Sequence, residues 1–148
     1  MSLKGRINED MKAAMRARQA ERLKAIRLAL AAIKQREVDE RIEVSDADVV
    51  AVIDKMVKQR RESIALFEKA GRQDLADAEQ AEVAVLQEYM PQAWSQTEID
   101  TFIIEAVAAV GAVGIKDMAA VMAQLRPKLV GRADMSAVSQ LVRAKLSG

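Results

Sequence analysis

Apolar residues recur along this chain at spacings of three and four, and that period predicts helices almost from end to end. Leu3, Ile7, Met11, Ala14 and Met15 form one stripe, which predicts a first helix over residues 2–19 with Asp10 and the basic residues outside it. Leu23, Ile26, Leu30 and Ile33 carry the pattern into a second helix from Glu21 to Arg41, where Ala25, Ala29 and Ala32 let a neighbour approach closely. The charged run at 36–43 (REVDERIE) is expected to fray into a short loop. Ser45, with Asp48 three positions on, has the spacing of an N-terminal cap.

From that cap to Pro91 the pattern describes two amphipathic arms meeting at Gly71. Glycine takes the left-handed conformation past a helix end without a Cβ penalty, and proline cannot continue a helix. An antiparallel helical hairpin follows. The first arm carries Val49, Ile53, Met56 and Phe67 on one face, and that face passes through Arg60 and Ser63. The second arm carries Leu75, Ala78, Leu86 and Tyr89, interrupted at Glu82 with Glu79 beside it. Arg60 and Glu82 lie equally far from Gly71, as do Ser63 and Glu79, so the arms should bring these four to matching levels. Such an inward charged group fixes the register of two helices; a catalytic role is the alternative.

Beyond Pro91 the helices shorten. Ser95-Gln-Thr-Glu98 is a capping box opening a fifth helix through Ile99, Phe102, Ile103, Ala106 and Val110, which Gly111 and Gly114 end. A sixth helix starts near Lys116, turns Met118, Val121, Met122 and Leu125 inward, and is ended or kinked by Pro127. After a turn at Gly131, Asp134 can cap a last helix with Val138, Leu141, Val142 and Leu146 inward. The predicted fold is therefore all-α. An N-terminal helical bundle containing the long hairpin (1–91) is followed by a small three-helix tail domain (92–148), and Trp94 at the junction is expected to pack the two together.

Composition narrows the chemistry. Aromatics make up 3% of the 148 residues and charged residues 30%, as in soluble helical proteins. Cysteine is absent, which excludes disulfides, thiolate metal sites and a cysteine nucleophile. Histidine is absent too, removing the commonest general base and transition-metal ligand. Phosphate loops, dinucleotide fingerprints and metal-ligand spacings are not found, so no metal or cofactor is expected and a self-contained enzyme is disfavoured. No apolar run is long enough for a bilayer span, so no membrane partner is expected. The charged N-terminus has no signal-peptide core, which makes the cytoplasm the expected location.

Net charge is +1, unevenly spread. Residues 1–41 hold eleven Lys/Arg against six Asp/Glu, and residues 42–92 hold six against eleven. Two halves complementing each other, or a basic face that attracts a polyanion, both fit this distribution. Two basic stretches stand out, at 58–61 (KQRR) and 126–132 (RPKLVGR). Each reads as solvated surface or as a phosphate-contacting patch.

The ordered motifs K-Q-R-R-E-S (58–63), F-x-x-A-G-R-x-D-L-A (67–76), E-x-x-E (79–82), Y-M-P (89–91), K-D-M (116–118), V-M (121–122) and P-K-L-x-G-R-A-D (127–134) resemble the GatB/YqeY family over essentially the whole chain. The resemblance implies a stand-alone YqeY-like protein, built like the helical and tail domains that end the B subunit of the glutamine-dependent aspartyl/glutamyl-tRNA amidotransferase. In that subunit the tail contacts the tRNA elbow, and similar modules are attached to some glutaminyl-tRNA synthetases. The chain departs from the family pattern at Ala119-Ala120 and Met135-Ser136, where relatives often carry glycine and lysine.

On this resemblance the chain is a non-catalytic tRNA-associated module. Its RNA-binding residues would be Lys116, Arg126, Lys128, Arg132, Arg143 and Lys145. A second reading is a protein-interaction adaptor docking a synthetase or amidotransferase subunit through Gln59, Arg61, Arg72 and Asp74. A third is a carbon-nitrogen ligase or hydrolase, with glutamine as amido donor, acting through Arg60, Ser63, Glu79 and Glu82. The family's own catalytic parts lie in other regions of the amidotransferase.

Overall fold

Each joint in the chain has a local cause. In the computed structural model, which describes residues 1–147, the α-helices are α1 (Leu3–Arg16), α2 (Ala20–Glu40), α3 (Asp46–Lys69), α4 (Gln73–Gln87), α5 (Gln96–Val110), α6 (Met118–Leu129) and α7 (Met135–Ser147). A 3-10 turn at Ile115–Asp117 precedes α6, and no strand occurs among the described residues. The all-α class predicted from the periodicity is the observed one.

The Ser2 hydroxyl accepts from the Gly5 N–H and caps α1. That helix stops short of residue 19 because Arg18 turns left-handed, at φ 56°. The charged run at 36–43 stays helical through Glu40 instead of fraying. Arg36 donates to Glu40 one turn on (2.6 Å) and to Asp48 of α3 (3.1 Å), and Lys4 of α1 holds Glu37. Arg41, at φ 54°, then closes the helix with its N–H on the Glu37 carbonyl. Ser45 and Asp48 exchange side-chain and backbone bonds in a complete capping box for α3.

Gly71 sits at φ 71°, the left-handed turn that joins α3 to α4. One compact unit spans Met1–Met90, with Ile7, Ile26, Ile33, Val49, Ile53, Val83 and Leu86 at its centre. Two sequence expectations shift here. Met15 is exposed, and the inward stripe of α4 runs through Ala76, Val83 and Leu86 while Leu75 and Ala78 face outward. Tyr89 remains buried and its hydroxyl donates to Asp10 of α1 at 2.6 Å, which ties the end of α4 to the first helix.

A second compact unit begins at Pro91. Ser95 and Glu98 form the capping box of α5, and Gly111, at φ 70°, ends that helix. Pro127 does not end α6, which runs on to Leu129. Its missing N–H falls in the last turn and costs a single intrahelical bond. Ile99, Ile103, Val121, Leu125, Leu129, Val138 and Val142 make the core, whereas Leu141, expected inside, is 39% exposed. Trp94 belongs to this unit's own packing. Its indole N–H donates to the Lys128 carbonyl (3.0 Å), its backbone N–H to the Arg132 carbonyl (2.8 Å), and its ring meets Phe102 edge-on. The end of α6 leaves carbonyls without intrahelical partners, and an indole N–H needs an acceptor.

Candidate functional site

Arg60 and Glu82 meet between the two arms of the hairpin. Arg60 Nε donates to Glu82 Oε2 at 2.7 Å, and both side chains are only 16% exposed. Glu79 lies at the edge of the same guanidinium, 3.9 Å away, and Lys24 of α2 approaches the other Glu82 oxygen at 3.7 Å. Ser63 does not join them. Its hydroxyl donates to the Gln59 carbonyl of its own helix at 3.2 Å, the local bond by which a mid-helix serine satisfies itself. The arrangement is a carboxylate held between cations from two other helices. A nucleophile and a base within reach of each other, which the catalytic reading requires, are not brought together here.

The four residues of the adaptor reading are split by the turn. Arg72 grips Asp74 with two hydrogen bonds (3.2 and 3.0 Å), and that grip holds the Asp74 carboxyl below the usual range. Gln59 and Arg61 are exposed on α3, and Arg61 makes no ion pair among the described residues.

The six basic residues of the tail fall into distinct environments. Arg132 stacks on Trp94, its guanidinium carbon 3.5 Å from the ring centre, while its Nε donates to the Gln92 carbonyl at 2.9 Å. The Lys128 ammonium lies 5.0 Å from the centre of the Phe102 ring. These two cations are engaged within the unit. Arg126 and Arg143 are not: both line one open groove between α6 and α7, together with Ser136, Ser139, Gln140 and the methionines Met122 and Met135. Neither arginine has a carboxylate partner among the described residues. Lys116 and Lys145 are exposed elsewhere on the unit. The sequence reading missed Ser136, Ser139 and Gln140 as neighbours of Arg143. Their signal was the spacing of three, four and seven along α7, which puts them on one helix face.

Among the described residues, no group of three or more His, Cys, Asp or Glu side chains could hold a metal ion. No single helix there is long and apolar enough to cross a membrane.

Comparison with known proteins adds a family. Residues 4–146 match the family described as Yqey-like protein. Among curated relatives, "Altered inheritance of mitochondria protein 41, mitochondrial" of Eremothecium gossypii is 41% identical over 85 residues, covering 57% of this chain and 46% of the relative. The protein of the same name from Pyrenophora tritici-repentis is 30% identical over 141 residues, covering 93% of this chain and 77% of the relative. The Kluyveromyces lactis protein of that name is 35% identical over 103 residues, covering 67% and 55%. The chain thus spans about half the length of several of these relatives. The expected cytoplasmic location is overturned by them, since their names are those of mitochondrial proteins.

Proposed function

This chain belongs to the Yqey-like protein family, and from that premise we propose that it is a non-catalytic, tRNA-associated accessory protein whose tail unit holds RNA by its phosphates. The observation that carries the reading is the groove between α6 and α7. Two arginines without carboxylate partners line it, together with Ser136, Ser139 and Gln140. Guanidinium groups bind phosphate oxygens in pairs, and serine and glutamine add neutral bonds to the same oxygens. Lys116 and Lys145 extend the positive surface. Lys128 and Arg132 support the unit through their aromatic contacts, so the burden of binding shifts from the 126–132 loop to the groove. The resemblance to the amidotransferase tail supplies tRNA as the RNA.

The test is a titration of bulk tRNA at two salt concentrations. Binding should weaken with salt at a slope of only a few in log–log terms, because each phosphate contact contributes about 0.9. Arg126→Ala/Arg143→Ala should lower that slope by about two and weaken binding about tenfold at low salt. Binding that is independent of salt, or unchanged in the double variant, would defeat the reading. Absence of tRNA binding at low salt would favour the adaptor reading, with the Gln59 and Arg61 surface as the place to map a synthetase or amidotransferase subunit.

A further inference from the structure

Helix α2, in the first unit, carries a second cationic surface. An α-helix advances about 100° per residue, so positions can be placed around its axis. Ala25, Ile26, Ala29 and Ile33 define the buried side. Opposite them lies an exposed arc, roughly 80° wide by the same geometry, holding Ala20, Lys24, Arg27, Ala31, Lys34 and Val38, with Arg41 just past the helix end. No acidic residue falls inside it. Glu21 and Asp39 lie to one side, and Glu37 and Glu40 lie toward the core.

Two of those acids are also neutralised from within: Glu37 by Lys4 and Glu40 by Arg36. Lys24 leans toward Glu82 at 3.7 Å yet keeps 71% of its side chain exposed. Arg27, Lys34 and Arg41 have no ion-pair partner among the described residues. Within the helix Lys24, Arg27 and Lys34 span roughly 15 Å at a rise of about 1.5 Å per residue, and Arg41 follows at the left-handed helix end.

We propose that this face of α2 binds the phosphodiester backbone of double-stranded RNA without reading its sequence. A row of cations held at fixed spacing by a helix docked on its own core complements a regular line of phosphates. Single-stranded RNA is a poorer fit, because stacking platforms need aromatic side chains and the arc has none. An anionic bilayer fits less well too: the apolar members of the arc are Ala20, Ala31 and Val38, too little to enter the acyl boundary. The choice of RNA over DNA rests on the tail reading above; the affinity for a phosphodiester backbone does not.

The experiment uses the full chain and a fluorescently labelled RNA duplex, titrated at two salt concentrations. Arg27→Glu/Lys34→Glu is compared with wild type and, separately, introduced into the Arg126→Ala/Arg143→Ala background. Both positions are exposed, and far-ultraviolet circular dichroism checks the helix content. Arg27→Gln/Lys34→Gln is the milder companion. The charge reversal should weaken duplex binding at least about tenfold at low salt and lower the salt slope by about two, in both backgrounds. Failure of the tail reading alone would appear as a silent groove variant with the effect of the α2 substitutions intact.

An α2 variant that binds like wild type overturns the proposal, as does a wild-type chain that ignores the duplex. A DNA duplex and phosphatidylserine vesicles are the remaining arms. Tighter binding to DNA overturns the choice of RNA. Vesicle binding that the variant loses while duplex binding persists assigns the face to a membrane surface and overturns the proposal.

Discussion

Arg132 is held on three sides. Its guanidinium lies over Trp94, its Nε reaches the Gln92 carbonyl, and its own carbonyl receives the Trp94 N–H. A cation placed this way stiffens the chain leading into α5, and removing it leaves the indole face bare. Arg132→Ala should cost the tail unit about 1–2 kcal/mol, the sum of a cation–π contact and a hydrogen bond. The measurement is the denaturant midpoint read by Trp94 fluorescence, which is unambiguous because Trp94 is the sole tryptophan. Arg132→Lys should recover little of the loss, since an ammonium cannot both stack its plane on the ring and donate from an Nε. A variant of wild-type stability that loses RNA affinity would show that the side chain serves the ligand and not the fold.

At the scale of the helices, local rules carried most of the reading. The caps at Ser45 and Ser95 and the turns at Gly71 and Gly111 are set by residues within four positions of each other, and each appears where the sequence puts it. The misplacements arise where a distant element decides. Leu75 and Ala76 differ by one position, and only the packing of α4 on α2 and α3 tells which of them turns inward. Trp94 meets the end of α6 through the Lys128 carbonyl, a contact that no pattern near residue 94 announces. The same holds for the site. The meeting of Arg60 and Glu82 was countable from the turn, whereas the groove pairing Arg126 with Arg143 depends on how α6 and α7 pack.

The run at 36–43 was expected to fray, and ion pairs to α1 and α3 hold it. Lys4 donates to both oxygens of Glu37 (2.9 and 3.1 Å), and this bond pulls the Glu37 carboxyl below its ordinary range. A carboxyl with a lowered folded pKa contributes stability above its unfolded pKa and loses it as pH falls through the folded value. Glu37→Gln should therefore be less stable than wild type at neutral pH, with the gap closing below about pH 4. Urea denaturation at several pH values measures it, and a gap that does not change with pH would assign the effect to packing.

At the scale of the whole chain, two hydrophobic clusters are built from residues on either side of Pro91. The tail's cluster is the smaller, near the size at which a single core only just supports a fold. The chain supplies its own reporters: Trp94 in the second unit and the sole tyrosine, Tyr89, in the first. Leu125 is 1% exposed and central to the tail core. Leu125→Ala should remove about 2–5 kcal/mol there, through lost burial and the cavity left behind. If each core sustains its own cooperative transition, the midpoint followed by Trp94 fluorescence falls well below that of wild type. Most of the far-ultraviolet signal, to which α1 to α4 contribute the larger share of helical residues, then unfolds where it did before. Coincident transitions that shift together would mean that the cores unfold as one.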